Sequence, residues 1–217
     1  IDNPMKKNVV MGFLGTNLDA GKRRRWRPSV QIAQHTDFPI APHGGPGDFP
    51  YRLVAPLTPY ANWNSVVQPL VNAMTAGGGG DAPESQYVAI QLALSSQGLD
   101  LNSDGDFLDP GEVDPADNVM GIIPGRACSI YHFTSPDIFH DSNVDVTYPM
   151  PGNPNDVTPG EPEVTATLTS STHPVTYNFL HTGPLFTSIG PGRRLASMSG
   201  GLAVDVGRRM QFLSQAI

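Results

Sequence analysis

The sequence predicts an α/β fold, in which a three-layer, mainly parallel sheet carries helices on both faces. Runs of helical and of strand-like apolar periodicity alternate along the 217 residues, the arrangement typical of such sheets. One run, residues 127–134, has few charges, as expected for a strand covered on both faces. Most of the 22 prolines and 23 glycines fall between these runs, which predicts long loops over 39–60 and 135–163 in a single domain spanning 1–217.

The first half of the chain opens with a predicted amphipathic helix over residues 1–20, whose apolar side chains recur at helical spacing. Alternating apolar and polar residues then predict a strand over 29–35, and Leu53-Val54 predicts a short strand. Further helices are expected over 63–74, with a kink or break at Pro69, and over about 83–96.

The second half is predicted to begin with the buried strand 127–134, which carries Cys128. Because Cys128 is the only cysteine, no internal disulfide is possible, and a buried thiol is expected. Residues 164–168 are interpreted as a strand or an extended arm. The remaining predictions are a strand over 174–180, a helix over 193–198, a turn at Gly200-Gly201, a strand over 202–206 and a helix over 208–217.

Net charge narrows the classes of partner. The formal charge of −7 does not favour a nucleic-acid partner. Basic residues cluster around Trp26; we interpret this cluster as the solvated end of the first helix, and a polyanion site is the less favoured alternative. No apolar run approaches the ~20 residues needed to span a bilayer.

A run of four glycines, residues 77–80, precedes Asp81-Ala82-Pro83-Glu84 and an apolar helical pattern. Asp81 as N-cap, Pro83 in the first turn and Glu84 as its capping-box partner would start a helix here. The alternative is an acidic loop whose carboxylates hold a divalent cation.

Three such segments follow predicted strands or precede a helix: His35-Thr36-Asp37, residues 77–84 and residues 134–137. In sheets of this class, ligands bind beyond the carboxyl ends of the strands. Each segment supplies oxygen ligands, so their convergence at one edge would favour a hard cation.

These segments resemble a von Willebrand factor A domain, of the subgroup nearest to the integrin β I-like domain and its bacterial relatives. The resemblance is carried by residues 30–39, by Asp81-Ala82-Pro83-Glu84 with Ala89-Ile90, by residues 130–134 with Phe139-His140-Asp141, and by residues 195–201. It implies a metal-ion-dependent adhesion site that binds Ca²⁺, Mg²⁺ or Mn²⁺.

By that resemblance, Glu84 would help to bind the central cation. An adjacent cation would be held by Asp37, Asp81, Glu84 and the carbonyl of Pro83. The family places one more aspartate after the strand ending at Thr134. This chain has Ser135 at that place and Asp137 one or two residues further on.

The family's Asp-x-Ser-x-Ser motif, which ends its central strand, has no counterpart in this sequence. We therefore expect that the chain starts inside a longer polypeptide and lacks one interior strand. That strand would come from the same gene product or from a partner, since an open gap would expose two apolar strand edges.

A second acidic segment, residues 98–118, resembles a calcium loop inserted between a helix and a strand. Oxygen donors at alternate positions can wrap one ion, and Gly105 permits the sharp turn. Glu112 is one residue later than the usual closing glutamate. The predicted ligands are Asp100, Asn102, Asp104 and Glu112, with Asp106 or Asp109 contributing; the alternative is a solvated acidic turn.

No motif for an enzyme stands out, because the six histidines are scattered and no Gly-x-Ser-x-Gly or His-Glu-x-x-His pattern is present. We expect a non-enzymatic adhesion module, extracellular or at a bacterial cell surface, that binds an acidic group on a partner protein. The alternatives are a structural subunit of a surface assembly, in which cations only stabilise, and a metal-dependent hydrolase.

Overall fold

A computed structural model of the chain describes residues 9–16, 29–41, 43–74, 84–95, 97–118, 127–134, 139–142, 157–170, 175–181 and 190–205. Within these ranges six strands form one sheet in the order β3-β2-β1-β4-β5-β6. The strands are β1 (Val9–Thr16), β2 (Ser29–His35), β3 (Arg52–Pro59), β4 (Ala127–Thr134), β5 (Val175–His181) and β6 (Ala203–Asp205).

The α/β character of the chain is confirmed, but the sheet is mixed rather than mainly parallel. Only β4–β5 and β5–β6 pair in parallel, whereas β1–β2, β1–β4 and β2–β3 pair in antiparallel. Since β1 runs opposite to both of its neighbours, β2 points the same way as β4, β5 and β6. The carboxyl ends of these four strands therefore meet at one edge, which we call the carboxyl edge.

Strand β1 corrects two predictions. The helix predicted over 1–20 is wrong where the structure describes it, because Val9–Thr16 is a strand. The β-branched Val9 and Val10 favour a strand, and Gly12 and Gly15 would each cost a helix about 1 kcal/mol. The expected gap is also wrong, since β1 itself lies between β2 and β4.

The other strands follow the sequence pattern closely. Predictions for 29–35, 127–134, 174–180 and 202–206 are confirmed in the described residues, and the short strand at Leu53-Val54 extends over all of β3. Gly200 turns the chain into β6 with a positive φ of 75°. The helix predicted over 208–217 lies outside the described residues.

Helical structure is confirmed over 63–74. A 3₁₀ turn, Tyr60–Asn62, leads into a π-helical segment, Trp63–Val67, and then into α1, Gln68–Ala73. Pro69 lies in the first turn of α1, where the missing N–H costs nothing. The change from π to α geometry thus occurs beside the predicted kink.

Helices α2 (Gln86–Leu94), α3 (Glu161–Leu168) and α4 (Pro191–Met198) follow, and α4 confirms its prediction. The strand predicted over 164–168 is wrong, because the segment ends α3. The backbone N–H of Gly160 donates to Glu163 Oε2 at 3.1 Å, and Pro162 occupies the first turn. These start signals outweigh the β propensity of the Val-Thr run.

Helices cover both faces of the sheet. Val30 and Ile32 of β2 pack with Ala55 and Val67 against the 63–74 helical segment. On the opposite face, Ala33 of β2 joins the larger core, which includes buried residues of α2, α3, α4, β4 and β5. Helix α2 is apolar on nearly all sides, as expected for a helix buried in a core, and its first residue lies near the carboxyl edge.

Candidate cation sites

The carboxyl edge brings together two of the predicted acidic residues. Asp37 follows the end of β2 and is 0% exposed; Glu84 precedes α2 and is 3% exposed. The Ser85 hydroxyl donates to the carbonyl oxygen of Thr36 at 3.3 Å. Because Thr36 and Ser85 are the direct chain neighbours of Asp37 and Glu84, this contact fixes the two acidic residues in one region.

A second contact ties the same region to the segment after β4. The backbone N–H of His140 donates to the Glu84 carbonyl oxygen at 2.8 Å, and Glu84 forms an isolated parallel bridge with Phe139. The imidazole of His140 packs edge-on against Phe38, with ring centroids 5.8 Å apart. Glu84 therefore lies between the ends of β2 and β4.

Both carboxyl groups are out of reach of bulk water, which makes their negative charge costly unless other groups offset it. Asp37 Oδ1 accepts from the N–H of Phe38 at 2.8 Å, and this stabilises one oxygen. A divalent cation is among the groups that can offset such a charge.

The predicted start of α2 is corrected. The helix begins at Gln86, its N-cap is Ser85, and no side chain caps it; the Ser85 hydroxyl instead donates to the carbonyls of Thr36 and Pro50. Glu84 therefore lies before the helix rather than within its capping box. Asp81, Pro83, Ser135 and Asp137 lie outside the described residues.

A buried chain of polar side chains, which the sequence did not reveal, runs inward from this edge. His35 Nδ1 donates to the Thr36 carbonyl at 3.4 Å, and His35 Nε2 lies 3.1 Å from His132 Nε2. His132 Nδ1 lies 2.5 Å from the Tyr177 hydroxyl. One proton arrangement satisfies every link: Tyr177 donates to His132, His132 donates to His35, and His35 donates to Thr36.

Both imidazoles are held neutral. Burial lowers the pKa of His35 to about 3, and burial together with the nearby His35 lowers the pKa of His132 well below its ordinary value. Since β1 separates β2 from β4, the pair joins two strands that do not themselves hydrogen-bond. It braces the sheet beneath Asp37 and Glu84.

The predicted calcium loop is closed at its base by an isolated antiparallel bridge between Leu99 and Val113. The Asp100 carboxylate accepts from the N–H groups of Asp104 and Gly105 at 3.3 and 2.9 Å. Gly105 has a positive φ of 91°, a conformation that glycine adopts readily. This agrees with its predicted place in the sharp turn of the loop.

The other predicted oxygen ligands of the cation face one another across the loop. The Asn102 amide donates to Asp104 at 3.1 Å and to Asp109 at 2.5 Å, and the Glu112 carboxylate accepts from the N–H groups of Leu101 and Asp109 at 3.0 and 3.1 Å. Asp106 accepts only a local bond from Leu108 N–H at 2.9 Å among the contacts described. An amide N–H₂ thus occupies the space between two carboxylates.

In the part of the chain that the structure describes, no three His, Cys, Asp or Glu side chains are arranged to hold a metal ion. To bind a cation in the loop, the carboxylates of Asp100 and Glu112 would have to give up their hydrogen bonds to backbone N–H groups and turn towards the ion. A cation at the carboxyl edge would need ligands besides Asp37 and Glu84.

Comparison with known proteins gives one partial match. Residues 6–42 match the family model described as regulator of RNA terminal phosphate cyclase. The matched segment includes β1, β2 and Asp37 but neither Glu84 nor the acidic loop. No curated protein and no solved structure matches the chain. The matched residues comprise the first two strands and the segments next to them.

Proposed function

We propose that this protein is a binding module that engages an acidic group on a partner protein through a divalent cation at the carboxyl edge. The convergence of Asp37 and Glu84, from the end of β2 and the start of α2, carries the proposal. Carboxylate and carbonyl oxygens are the ligands that Ca²⁺, Mg²⁺ and Mn²⁺ prefer. A carboxylate from the partner would fill an open coordination position.

The other ligands in this proposal are Asp81, the Pro83 carbonyl, and Ser135 or Asp137. All four lie on segments adjacent in sequence to described residues of this edge. The resemblance to von Willebrand factor A domains supports the same set. The proposal includes no chemical turnover and assigns the buried histidine chain a structural role.

A second cation, calcium, is proposed for the loop formed by residues 100–112. Its ligands would be Asp100, Asn102, Asp104 and Glu112, with Asp106 or Asp109 contributing. Binding would replace hydrogen bonds inside the loop by stronger charge interactions and would stiffen it. We place the protein outside the cell or at its surface, and calcium sites of extracellular modules have Kd values of about 0.1–1 mM, which is the affinity expected of this loop. Among the described residues no helix has the length and apolarity to cross a bilayer.

The burial of Asp37 and Glu84 favours a second candidate function. A cation between side chains that are 0% and 3% exposed would stabilise the fold without meeting a partner. The protein would then be a structural subunit of a surface assembly, and its partner contacts would lie elsewhere.

Binding to an immobilised aspartate-containing peptide separates the candidates. The chain is passed over this peptide and over an asparagine control peptide in Mg²⁺, Ca²⁺ or Mn²⁺, then in EDTA. The proposed function predicts cation-dependent binding to the aspartate peptide alone, lost in Glu84→Gln and retained in Glu112→Gln. Cation uptake without peptide binding would favour the structural subunit, and cleavage of a peptide or ester would favour a hydrolase.

A further inference from the structure

A cleft of about 390 Å³ lies between α2, α3 and the base of the acidic loop. Val88, Gln91 and Leu92 line it from α2, Glu163 lines it from α3, and Leu99 lines it where the loop begins. Its volume falls within the range of about 300–1,000 Å³ that is usual for small-molecule sites. None of the proposed cation ligands lines it, so the cleft is distinct from both candidate cation sites.

The side of the cleft that follows α2 is held in place by buried contacts. The side-chain amide of Asn118, which is 0% exposed, donates to the carbonyl oxygens of Leu92, Ser95 and Gln97 at 2.9 Å each. The next residue is Gly98, where an added Cβ would lie 2.5 Å from Pro115 Cδ. Because this segment is packed so closely from behind, the cleft is formed before any ligand arrives, which lowers the cost of binding.

The side formed by α3 is fixed as well. The Thr167 hydroxyl donates to Gln91 Oε1 at 3.0 Å and so ties α3 to α2. The Glu163 carboxylate accepts from the backbone N–H of Gly160 at 3.1 Å, at the start of α3. This bond keeps the carboxylate beside the cleft.

The wall of the cleft changes from apolar to polar towards solvent. Val88 and Leu92 are 2% and 3% exposed and present aliphatic carbon, whereas Glu163 is exposed. Hydroxyl groups of Ser142 and Thr158 also line the cleft. A ligand that fits such a wall has an aliphatic part for the interior and a polar group for the rim.

Charge selects the polar group. Glu163 is the only charged residue among the described residues that line the cleft, and the chain as a whole has a formal charge of −7, so a cation is favoured over an anion. No aromatic residue is among them, which disfavours a quaternary ammonium group. A primary ammonium group instead has three N–H donors, for which the carboxylate and the two hydroxyls are acceptors.

We propose that this cleft binds a primary aliphatic ammonium group, carried by a free alkylamine or by a lysine side chain. The alkyl chain would pack on Val88 and Leu92, and the ammonium group would lie beside Glu163. Since one ion pair at an exposed rim contributes little, the affinity for a free amine should be in the millimolar range. Binding involves no proposed cation, so it should persist in EDTA, and its failure would leave the cation proposal intact.

Nuclear magnetic resonance of the native chain in EDTA tests the proposal with three ligands of equal chain length: pentylamine, pentan-1-ol and pentanoate. Pentylamine should shift the amide signals of residues 88–92, 97–99 and 158–163. Pentan-1-ol should bind about tenfold more weakly, because it lacks the charged hydrogen bond, and pentanoate should not bind. A lysine-containing peptide that binds more tightly than pentylamine would identify a lysine of a partner protein as the source of the ammonium group, and one that binds more weakly would identify a free amine.

Variants then test the role of the carboxylate. Glu163→Gln keeps a residue suited to the capping position of α3 and should weaken pentylamine binding about tenfold. The matched control is Asp117→Asn, which removes the same charge from an exposed residue outside the cleft and should bind as the native chain does. Val157→Trp, at a lining residue that is 41% exposed, should obstruct the mouth and also reduce binding.

Four results would overturn the proposal. The native chain would fail to bind pentylamine, or would bind pentan-1-ol equally well. The shifted amides would lie away from the cleft, or Glu163→Gln would bind pentylamine with the native affinity. Two of the four concern ligand choice and one concerns location in the native chain, so they do not depend on how any variant folds.

Discussion

The two acidic regions of this protein are built in opposite ways. In the loop of residues 100–112 the donors are close in sequence, and most of their hydrogen bonds join residues two to five positions apart. At the carboxyl edge, Asp37 and Glu84 come from separate elements and meet through contacts such as Ser85 with Thr36. The predicted loop ligands are exposed or half-buried, whereas both edge carboxyl groups are buried.

The acidic loop is formed by contacts between residues close in sequence, whereas the carboxyl edge is formed by tertiary contacts between separate elements. The loop can form from its own turn preferences, so changes in it should leave the rest of the fold intact. The edge exists only while β2, α2 and the segment after β4 hold their places. Mutations beneath the edge should therefore affect global stability, and mutations in the loop should affect cation binding alone.

The largest effect is expected at the buried histidine chain. His132→Ala would remove the imidazole that the Tyr177 hydroxyl and His35 Nε2 contact and would open a cavity. Each lost partner costs about 1–3 kcal/mol, so the free energy of unfolding should fall by about 4 kcal/mol in urea denaturation. Tyr131→Phe, on the adjacent and partly exposed residue, should change it by less than about 0.5 kcal/mol. Equal effects would contradict the proposed bracing.

Low pH should destabilise the fold through His35 and His132. Below about pH 6.5 the unfolded chain protonates both histidines, whereas folded His35 keeps a pKa of about 3 and His132 is also held neutral. Stability is therefore complete above pH 7 and falls as the pH drops towards 3.

The loss between pH 7 and pH 5.5 should be about 2.5 kcal/mol, from about 1.2 kcal/mol for each histidine. Denaturation at several pH values measures it, and His132→Gln should show roughly half the slope. A stability that is flat over this range would show that the imidazoles are accessible to protons in the folded state.

A smaller effect is expected in the acidic loop. Asp104→Ala should change the unfolding free energy in EDTA by less than about 1 kcal/mol, because the residue is exposed and its contacts are local. It should abolish the rise in melting temperature caused by calcium. Asp114→Ala, in the following turn, is the matched control and should keep that rise. An unchanged calcium response in Asp104→Ala would remove the loop site.

The same contrast explains what the sequence could predict. Strands such as Ser29–His35 and Val175–His181 were predictable because apolar periodicity is local, and Gly105 marked the turn of the acidic loop. The apolar residues of β1 also fit a helical spacing; its valines and glycines favour a strand only weakly, and its pairing with β2 and β4 adds the tertiary contacts that a single sequence does not show. The reversed direction of β1 has no local signal.

The carboxyl edge was predictable only in part. Asp37 follows the end of β2 and Glu84 precedes the start of α2, and these positions predicted that both residues lie at one edge of the sheet. The links that hold them there, from Ser85 to Thr36 and from His35 to His132, join residues 49 and 97 positions apart. Such pairs carry no spacing signal in a single sequence.

Calorimetric titration with Mn²⁺ tests the cation at the carboxyl edge most directly. The native chain should bind cations at two independent places, the edge and the loop. Asp37→Asn/Glu84→Gln should lose the edge binding and keep the loop binding, and Asp104→Ala/Glu112→Gln should do the reverse. An Asp37→Asn/Glu84→Gln variant that binds Mn²⁺ with the native stoichiometry and affinity would contradict the account.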